Sequence, residues 1–157
     1  MKIVLLVVGQ TTDSHFKAGI ETYVDRISHY IPFEIKVLPD LKNTKSLSED
    51  TQKEREGEMI LKYLQNGDIP ILLDEHGEER RSIEFSAWLQ KMLNGGGKRI
   101  VFIIGGPYGF SQAVYRVAKS QVSLSKMTFS HQMIRLIFTE QLYRAFTILK
   151  GEPYHHE

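Results

Sequence analysis

Three short, almost uninterrupted apolar runs constrain the fold of this chain more than any other feature. They cover Lys2–Val8, residues 69–74 and residues 100–104. A strand with one solvated face alternates apolar and polar side chains, whereas a strand that is covered on both faces, as in parallel sheets, is apolar throughout. Each run is shorter than the roughly 18 residues of a membrane-spanning helix. The runs therefore predict buried strands of a parallel sheet.

The segments between these runs carry helical and further strand patterns. Apolar residues at steps of three and four predict a first helix over residues 14–30 and a last helix over residues 131–150, which Ser130 caps. The other predicted elements are a strand over Phe33–Leu38, a helix that opens with a capping box of Ser46 and Glu49, helices over residues 83–93 and 111–119, and a short strand over residues 121–124. This alternation predicts an α/β fold in which helices cover both faces of a parallel sheet, as one domain over residues 1–157.

Composition limits the kinds of function that are open to the chain. Its 157 residues carry a formal net charge of +1, whereas proteins that grip long nucleic acids through many phosphates are usually far more basic. Any nucleic-acid role must therefore use a small footprint, a local patch or a partner. The chain has no cysteine, and its six histidines match no metal-binding spacing, so no metal is expected. The apolar start is too short for a signal peptide, so the expected location is the cytoplasm.

The glycine-rich stretches do not match the common phosphate-binding motifs. Residues 95–99, GGGKR, lack the first glycine and the hydroxyl residue of a phosphate loop. Residues 105–109, GGPYG, do not fit the dinucleotide fingerprint. Their GxxG spacing matches a KH module, but the stretch follows a strand and carries no basic residue.

Three segments, here called the cleft segments, follow predicted strands at the end where open parallel sheets bind ligands: residues 73–74, 105–107 and 124–129. Glycine at a strand exit lets a ligand lie against the main chain. Met127 and Phe129 offer apolar surface, and the same segment supplies hydroxyl groups. These residues suit a purine-sized heterocycle better than a polyphosphate, which would need lysines and free N–H groups. A tight turn with ordinary core packing is the alternative.

Three stretches together resemble one family: MKIVLLVVG, IIGGPYGF and SLSKMTFSHQMIRLIFTEQLYRAFTILKGEPYHHE. The chain resembles the α/β-knot (SPOUT) methyltransferase superfamily over its whole length. More narrowly, it is similar to the small bacterial enzymes that methylate N3 of a pseudouridine in large-subunit (23S) ribosomal RNA. The resemblance implies a parallel-sheet α/β knot with a deep C-terminal trefoil knot, which composition does not indicate because knots are rare. It also implies an obligate homodimer.

The resemblance further implies S-adenosylmethionine as the cofactor. Matched residue by residue, its contacts here are Leu73, Gly105, Leu124, Ser125, Lys126, Met127, Thr128 and Phe129. All eight lie in the cleft segments. The implied partner is ribosomal RNA, and the modest net charge favours the assembled ribosome over free RNA as the substrate.

The tail and the last helix supply the candidates for catalysis and RNA binding. His155 is the candidate general base, because histidine titrates near neutrality. The alternative is that the tail, with Tyr154, only clamps RNA or orders the pocket. Arg135 and Arg144 are candidates for contacts to RNA phosphate. Gln10 stands where many relatives carry lysine, which alters the expected grip on RNA.

Apolar residues also lie off the main stripe of the last helix: Leu136, Tyr143 and Ile148. A second partner surface, which the homodimer would supply, explains them; deep burial within one chain is the alternative. Two other functions stay open. One is a binding module of the same fold that has lost methyl transfer, and the other is a flavodoxin-like binder of a nucleotide or small molecule.

Overall fold

Five strands form the central sheet of the computed structural model, which describes residues 1–156. They are β1 (Lys2–Val8), β2 (Phe33–Leu38), β3 (Asp68–Glu79), β4 (Arg99–Ile104) and β5 (Ser120–Ser123). Their order across the sheet is β2-β1-β4-β3-β5, and every neighbouring pair is parallel. The predicted parallel α/β sheet is confirmed, and β1 and β2 have the predicted bounds.

Four α-helices connect the strands and a fifth follows β5: α1 (Ser14–Ser28), α2 (Glu49–Tyr63), α3 (Ser82–Leu93), α4 (Gln112–Val117) and α5 (His131–Leu149). Ser130 caps α5 as predicted, and its hydroxyl accepts the N–H of Met133 at 3.1 Å. The predicted capping box at Ser46 is wrong, because Ser46 ends a 3-10 turn and Ser48 caps α2 instead. Among residues 1–156, no helix combines the length and apolarity that crossing a bilayer requires.

The side chains of β1 explain why its sequence is apolar throughout. Ile3, Leu5 and Val7 point into one core, which α1, α3 and α5 cover. Val4 and Leu6 point into a second core on the opposite face, beneath α2 and α4. All five are fully buried. Because both faces of the sheet are covered by helices, a ligand can reach the central strands only at their ends.

Strand β3 extends beyond the predicted residues 69–74 and carries an irregularity. Leu73 and Glu78 both pair with Val122 of β5, so residues 74–77 are extruded from the ladder. Gly77, at the end of this extrusion, lets β3 approach β5 closely, because a β-carbon there would lie 2.7 Å from the main-chain carbonyl carbon of Gln121. The extrusion carries a polar segment to the edge of the sheet where β3, β4 and the segment after β5 meet.

Two of the off-stripe residues of α5 pack against α1 of the same chain. The Tyr143 ring lies 5.9 Å from the Tyr23 ring. A methyl group of Leu136 lies 2.9 Å from where Gly19 would carry a β-carbon, so this glycine lets the two helices approach closely. Both residues are only half-buried in the single chain, so contact with α1 accounts for part of their apolar surface and a second partner surface stays a prediction.

Candidate ligand pocket and active site

A cavity of about 470 Å³ opens at the carboxyl ends of β3, β4 and β5. It is lined by seven of the eight predicted cofactor contacts: Leu73, Gly105, Leu124, Ser125, Met127, Thr128 and Phe129. The eighth, Lys126, is 84% exposed outside the cavity, and its ammonium group lies 3.7 Å from the Glu79 carboxylate. The volume is typical of pockets for small organic ligands. The fold thus brings together the three cleft segments, which are distant in sequence.

The extruded segment of β3 gives the cavity an acidic wall. The side chain of Asp74 is only 8% exposed, and it accepts hydrogen bonds from the Tyr115 hydroxyl and, at 2.9 Å, from the main-chain N–H of His76. Glu75 accepts the Thr128 hydroxyl at 3.3 Å, which links this wall to the segment after β5. These bonds hold both carboxylates in place at the cavity.

Tyr115 belongs to this site although the sequence patterns did not single it out. It lies on α4, lines the cavity and bonds Asp74. Burial raises the pKa of the Tyr115 phenol, and the hydrogen bond to Asp74 adds to the shift, so the hydroxyl stays a donor at neutral pH. A tyrosine in a short helix gives no sequence signal that it reaches a neighbouring strand.

The charges around the cavity favour some ligands over others. Asp74 and Glu75 are acidic, and Lys53 is the only lysine or arginine among the described lining residues. The remaining lining is largely apolar or main chain, including Leu73 and Phe129. A cavity of this kind suits a heteroaromatic ligand that carries positive charge. A polyphosphate would lack the basic partners that it needs.

The turn after β4 closes on itself and forms one side of the cavity. The N–H of Gly109 donates to the Gly106 carbonyl at 3.2 Å, and Gly109 has a φ of +84° that a side chain would disfavour. A β-carbon on Gly105 would lie 3.0 Å from the Phe110 ring. That ring meets Tyr115 edge-on, with 5.8 Å between centroids. Gly105 therefore leaves room for Phe110, which fills the space behind the turn.

Arg135 has a structural position rather than one suited to RNA. It is 3% exposed, and its guanidinium donates to the Val8 carbonyl at 2.9 Å and to the Thr11 hydroxyl at 3.0 Å. Burial lowers the pKa of Arg135. The guanidinium is enclosed and joins α5 to the end of β1. Arg135 therefore has a structural role here, and not the exposed position that the predicted RNA contact would need.

His131, one turn before Arg135, borders the site. Its ring donates a hydrogen bond to the Gly105 carbonyl, which ties the start of α5 to the exit of β4. Loss of water around the ring lowers the pKa of His131, and the positive charge of Arg135 adds to that effect. A mainly neutral imidazole thus faces the turn at pH 7.

The tail packs against α5 in a separate cluster. Arg144 pairs with Glu140 at 2.6 Å, lies 3.1 Å from Nδ1 of His155 and sits 4.8 Å from the centre of the Tyr154 ring. Tyr154 also donates to Glu140 at 3.1 Å. None of these four residues lines the cavity of its own chain. The fold therefore groups the RNA-binding candidates Arg144, Tyr154 and His155 with one another and apart from the cofactor-contact candidates.

Residues 1–156 contain no cluster of three or more His, Cys, Asp or Glu side chains that could hold a metal ion.

Comparison with known proteins agrees with this architecture. The model of the family described as "Predicted SPOUT methyltransferase" matches residues 1–155. A Bacteroides fragilis protein named Ribosomal RNA large subunit methyltransferase H is 60% identical over 157 residues, which is 100% of both chains. Relatives of the same name from Bacteroides thetaiotaomicron and Flavobacterium johnsoniae are 60% and 54% identical, again over 100% of both chains. The resemblance seen in the sequence is thereby confirmed, and the chain belongs to the SPOUT methyltransferase family.

Proposed function

We propose that this protein transfers a methyl group from S-adenosylmethionine to N3 of a pseudouridine in 23S ribosomal RNA. The observation that carries the proposal is that three sequence-distant segments line one cavity: 73–75, 105–110 and, apart from Lys126, 124–129. Seven of the eight cofactor contacts that the family resemblance implies line this cavity. Relatives that match over their full length carry the name of a large-subunit ribosomal RNA methyltransferase, which supports the substrate class.

The residues present fit this cofactor. When bound, S-adenosylmethionine supplies an electrophilic methyl carbon on a positively charged sulfur. Leu73, Leu124, Met127 and Phe129 offer apolar contacts to its adenine ring, and the glycine turn leaves main-chain groups accessible. The carboxylates of the acidic wall match its positive charges. Lys126 lies outside the cavity, so its proposed contact would be made through the main chain.

The acceptor nitrogen is part of an imide, and it becomes nucleophilic only as its proton leaves. A general base would contribute roughly 10²–10⁴-fold to the rate. His155 is our candidate for that base, with Tyr154 and Arg144 as RNA contacts. Because this tail cluster lies outside the cavity of its own chain, the proposal requires a homodimer or an RNA-induced movement that brings tail and pocket together. We favour the homodimer that the resemblance implies.

Three further features belong to the proposal. The substrate is the assembled ribosome, since a net charge of +1 gives weak grip on free RNA. A ribosomal substrate places the protein in the cytoplasm. The C-terminal trefoil knot of the family is also retained, and the strand order, with β5 beside β3, is compatible with it.

Mass spectrometry of nucleosides from ribosomes tests the activity directly. Ribosomes from cells lacking this protein are incubated with the purified protein and S-adenosylmethionine, and naked 23S RNA is incubated in parallel. We expect N3-methylpseudouridine to appear in the ribosomes and much less of it in the naked RNA. Methylation at another atom would contradict the proposed acceptor, and equal methylation of both substrates would contradict the requirement for a ribosome.

Titration calorimetry with S-adenosylhomocysteine separates the alternatives. Binding without methyl transfer to any ribosomal substrate would indicate a binding module that has kept the pocket. Failure to bind would remove the assignment of the cofactor to this cavity.

A further inference from the structure

Glu56 of α2 is a buried carboxylate beside the pocket turn. It is 4% exposed, and its Oε1 atom has no hydrogen-bond partner within residues 1–156. Gln52, one turn earlier on the same helix, hydrogen-bonds the carboxyl group, and the nearby charge that acts on it is another carboxylate, Asp40. Burying a polar atom without a partner opposes folding, so an apolar residue would serve this core better.

The carboxylate of Glu56 lies directly against the main chain of Gly106. A β-carbon on Gly106 would be 2.3 Å from both Oε1 and Oε2 of Glu56, so the buried carboxylate or the turn would have to move. Gly106 is not among the residues with positive φ, so its backbone conformation does not require glycine. Glycine is favoured here by the lack of space for a β-carbon, because the Glu56 side chain occupies that position.

The next residue of α2 makes room for the other end of the same turn. A β-carbon on Gly57 would lie 2.4 Å from the hydroxyl oxygen of Ser111. Ser111 caps α4, since its hydroxyl accepts the N–H of Val114 at 3.3 Å. Helix α2 thus packs against both ends of the turn. Glu56 lies where the turn leaves β4, and Gly57 lies where the turn enters α4.

We propose that Glu56 is a positioning residue for ligand binding: its carboxylate fixes the main chain of Gly106 and so sets the shape of the turn that borders the pocket. Gly106 itself lines the cavity, so a change in its position changes the cavity. The inference rests on the proposed function, because it assumes that this cavity binds the methyl donor. It also gives a specific reason for the second glycine of GGPYG, namely a neighbouring side chain rather than the ligand.

A double-mutant cycle tests this inference, with S-adenosylhomocysteine affinity measured by calorimetry. Gly106→Ala is expected to weaken binding about tenfold or more, because the new methyl group and the Glu56 carboxylate cannot both keep their places. Glu56→Ala alone should weaken binding by less. The double variant Glu56→Ala/Gly106→Ala should bind more tightly than Gly106→Ala, since the obstruction is gone.

A control on the same helix separates positioning from general destabilisation. Ile60, one turn after Glu56 and 2% exposed, packs in the same core without lining the cavity. Ile60→Ala should lower the melting temperature and leave the affinity unchanged. An equal loss of affinity in Ile60→Ala and Glu56→Ala would overturn the inference, as would a double variant that binds no better than Gly106→Ala.

The failure of this inference is distinguishable from the failure of the proposed function. If the wild-type protein binds S-adenosylhomocysteine and the cycle shows no rescue, only the role of Glu56 is lost. If the wild-type protein does not bind it, the cavity assignment and the role of Glu56 fail together.

Discussion

The hydroxyl of Tyr115 on α4 donates a hydrogen bond to Asp74, so the two sides of the cavity are joined by one contact between residues 41 positions apart. We expect Tyr115→Phe to lower the free energy of unfolding by about 1 kcal/mol and to weaken S-adenosylhomocysteine binding roughly threefold to tenfold. The reason is that α4 and the extruded segment of β3 would then be free to separate. Calorimetry and urea denaturation measure the two effects.

Tyr63→Phe is the matched control for this variant. The Tyr63 hydroxyl also bonds within the fold, accepting from Arg99 at 2.9 Å, but Tyr63 does not line the cavity. Loss of the Tyr63 hydroxyl should lower the free energy of unfolding and leave the affinity for S-adenosylhomocysteine unchanged. Equal affinities for wild type and Tyr115→Phe would contradict a role for the Tyr115–Asp74 bond in shaping the pocket.

Gly105→Val should abolish tight binding of S-adenosylhomocysteine, with affinity reduced about tenfold or more. A valine here would displace the Phe110 ring and approach the Gly109 carbonyl, 3.3 Å from the new β-carbon. The damage would therefore come from movement of the turn. Gly105→Ala should give a smaller loss, and binding by the valine variant as tight as that of wild type would count against this account.

His155→Ala should reduce methyl transfer without changing cofactor affinity, because His155 does not line the cavity of its own chain. A loss of roughly 10²–10⁴-fold in kcat is expected if His155 is the general base, and a smaller loss if it only contacts RNA. Single-turnover assays on ribosomes and calorimetry provide both quantities. His29→Ala, at an exposed position after α1, is the control and should change neither.

The stability of the protein should depend on pH through Glu56. Burial raises the pKa of Glu56 above its ordinary value of 4.5, and the Asp40 carboxylate adds to the rise. The folded state therefore holds a proton that the unfolded state has released, so this contribution is complete below pH 4.5 and is lost as the pH rises through the folded pKa. Glu56→Gln cannot ionise. Urea denaturation between about pH 5 and pH 8 should show the free energy of unfolding of Glu56→Gln rising relative to that of wild type. If the two proteins show parallel pH profiles, the raised pKa of Glu56 is refuted.

Breaking the ion pair of Asp68 and Arg99 should strongly destabilise the protein. Two hydrogen bonds of 2.8 and 2.7 Å join them, and the Asp68 side chain is 3% exposed. Removing one partner leaves a buried charge, so Arg99→Ala should cost about 3–5 kcal/mol. The exposed pair of Lys2 and Glu34, 3.0 Å apart, is the control, and Lys2→Ala should cost about 0–1 kcal/mol.

Acid should weaken the same pair. Burial by itself would raise the pKa of Asp68, but the hydrogen bonds from Arg99 and from the Gln65 N–H, together with the positive charge of Arg99, hold that pKa below its ordinary value of 3.8. Its contribution is therefore present above pH 3.8 and disappears as the pH falls through the lower folded pKa. Asp68→Asn should lose this part of the acid sensitivity, which denaturation below pH 4 measures.

The sequence patterns predicted the sheet well because burial on both faces leaves a direct mark on composition. Lys2–Val8 and the run that became β4 could hardly be anything but central strands. The cleft segments were predictable for a related reason, since ligands bind at the carboxyl edge of such a sheet. These predictions depend only on local apolar runs and on a general rule of topology.

The remaining features depend on neighbours that are distant in sequence. Residues 75–79, EHGEE, give no strand signal, and β3 continues past its irregularity only because Glu78 and Glu79 find main-chain partners in β5. Glu56 and Arg135 would ordinarily be placed in solvent, yet the packing of α2 and α5 buries both. Single-residue patterns contain no information on such burial, which is why the RNA contact assigned to Arg135 failed.

The strand order has a consequence for how the protein folds during its synthesis. Strand β1 pairs with β4, as Lys2 does with Arg99, and the irregular end of β3 pairs with Val122 of β5. In both cases the partner strand is synthesised later. A growing chain therefore holds its first strand without a central neighbour for most of its synthesis, and the pocket exists only after the segment ending at Phe129 has emerged. Any ligand that stabilises the finished molecule by mass action is of no help to the nascent one.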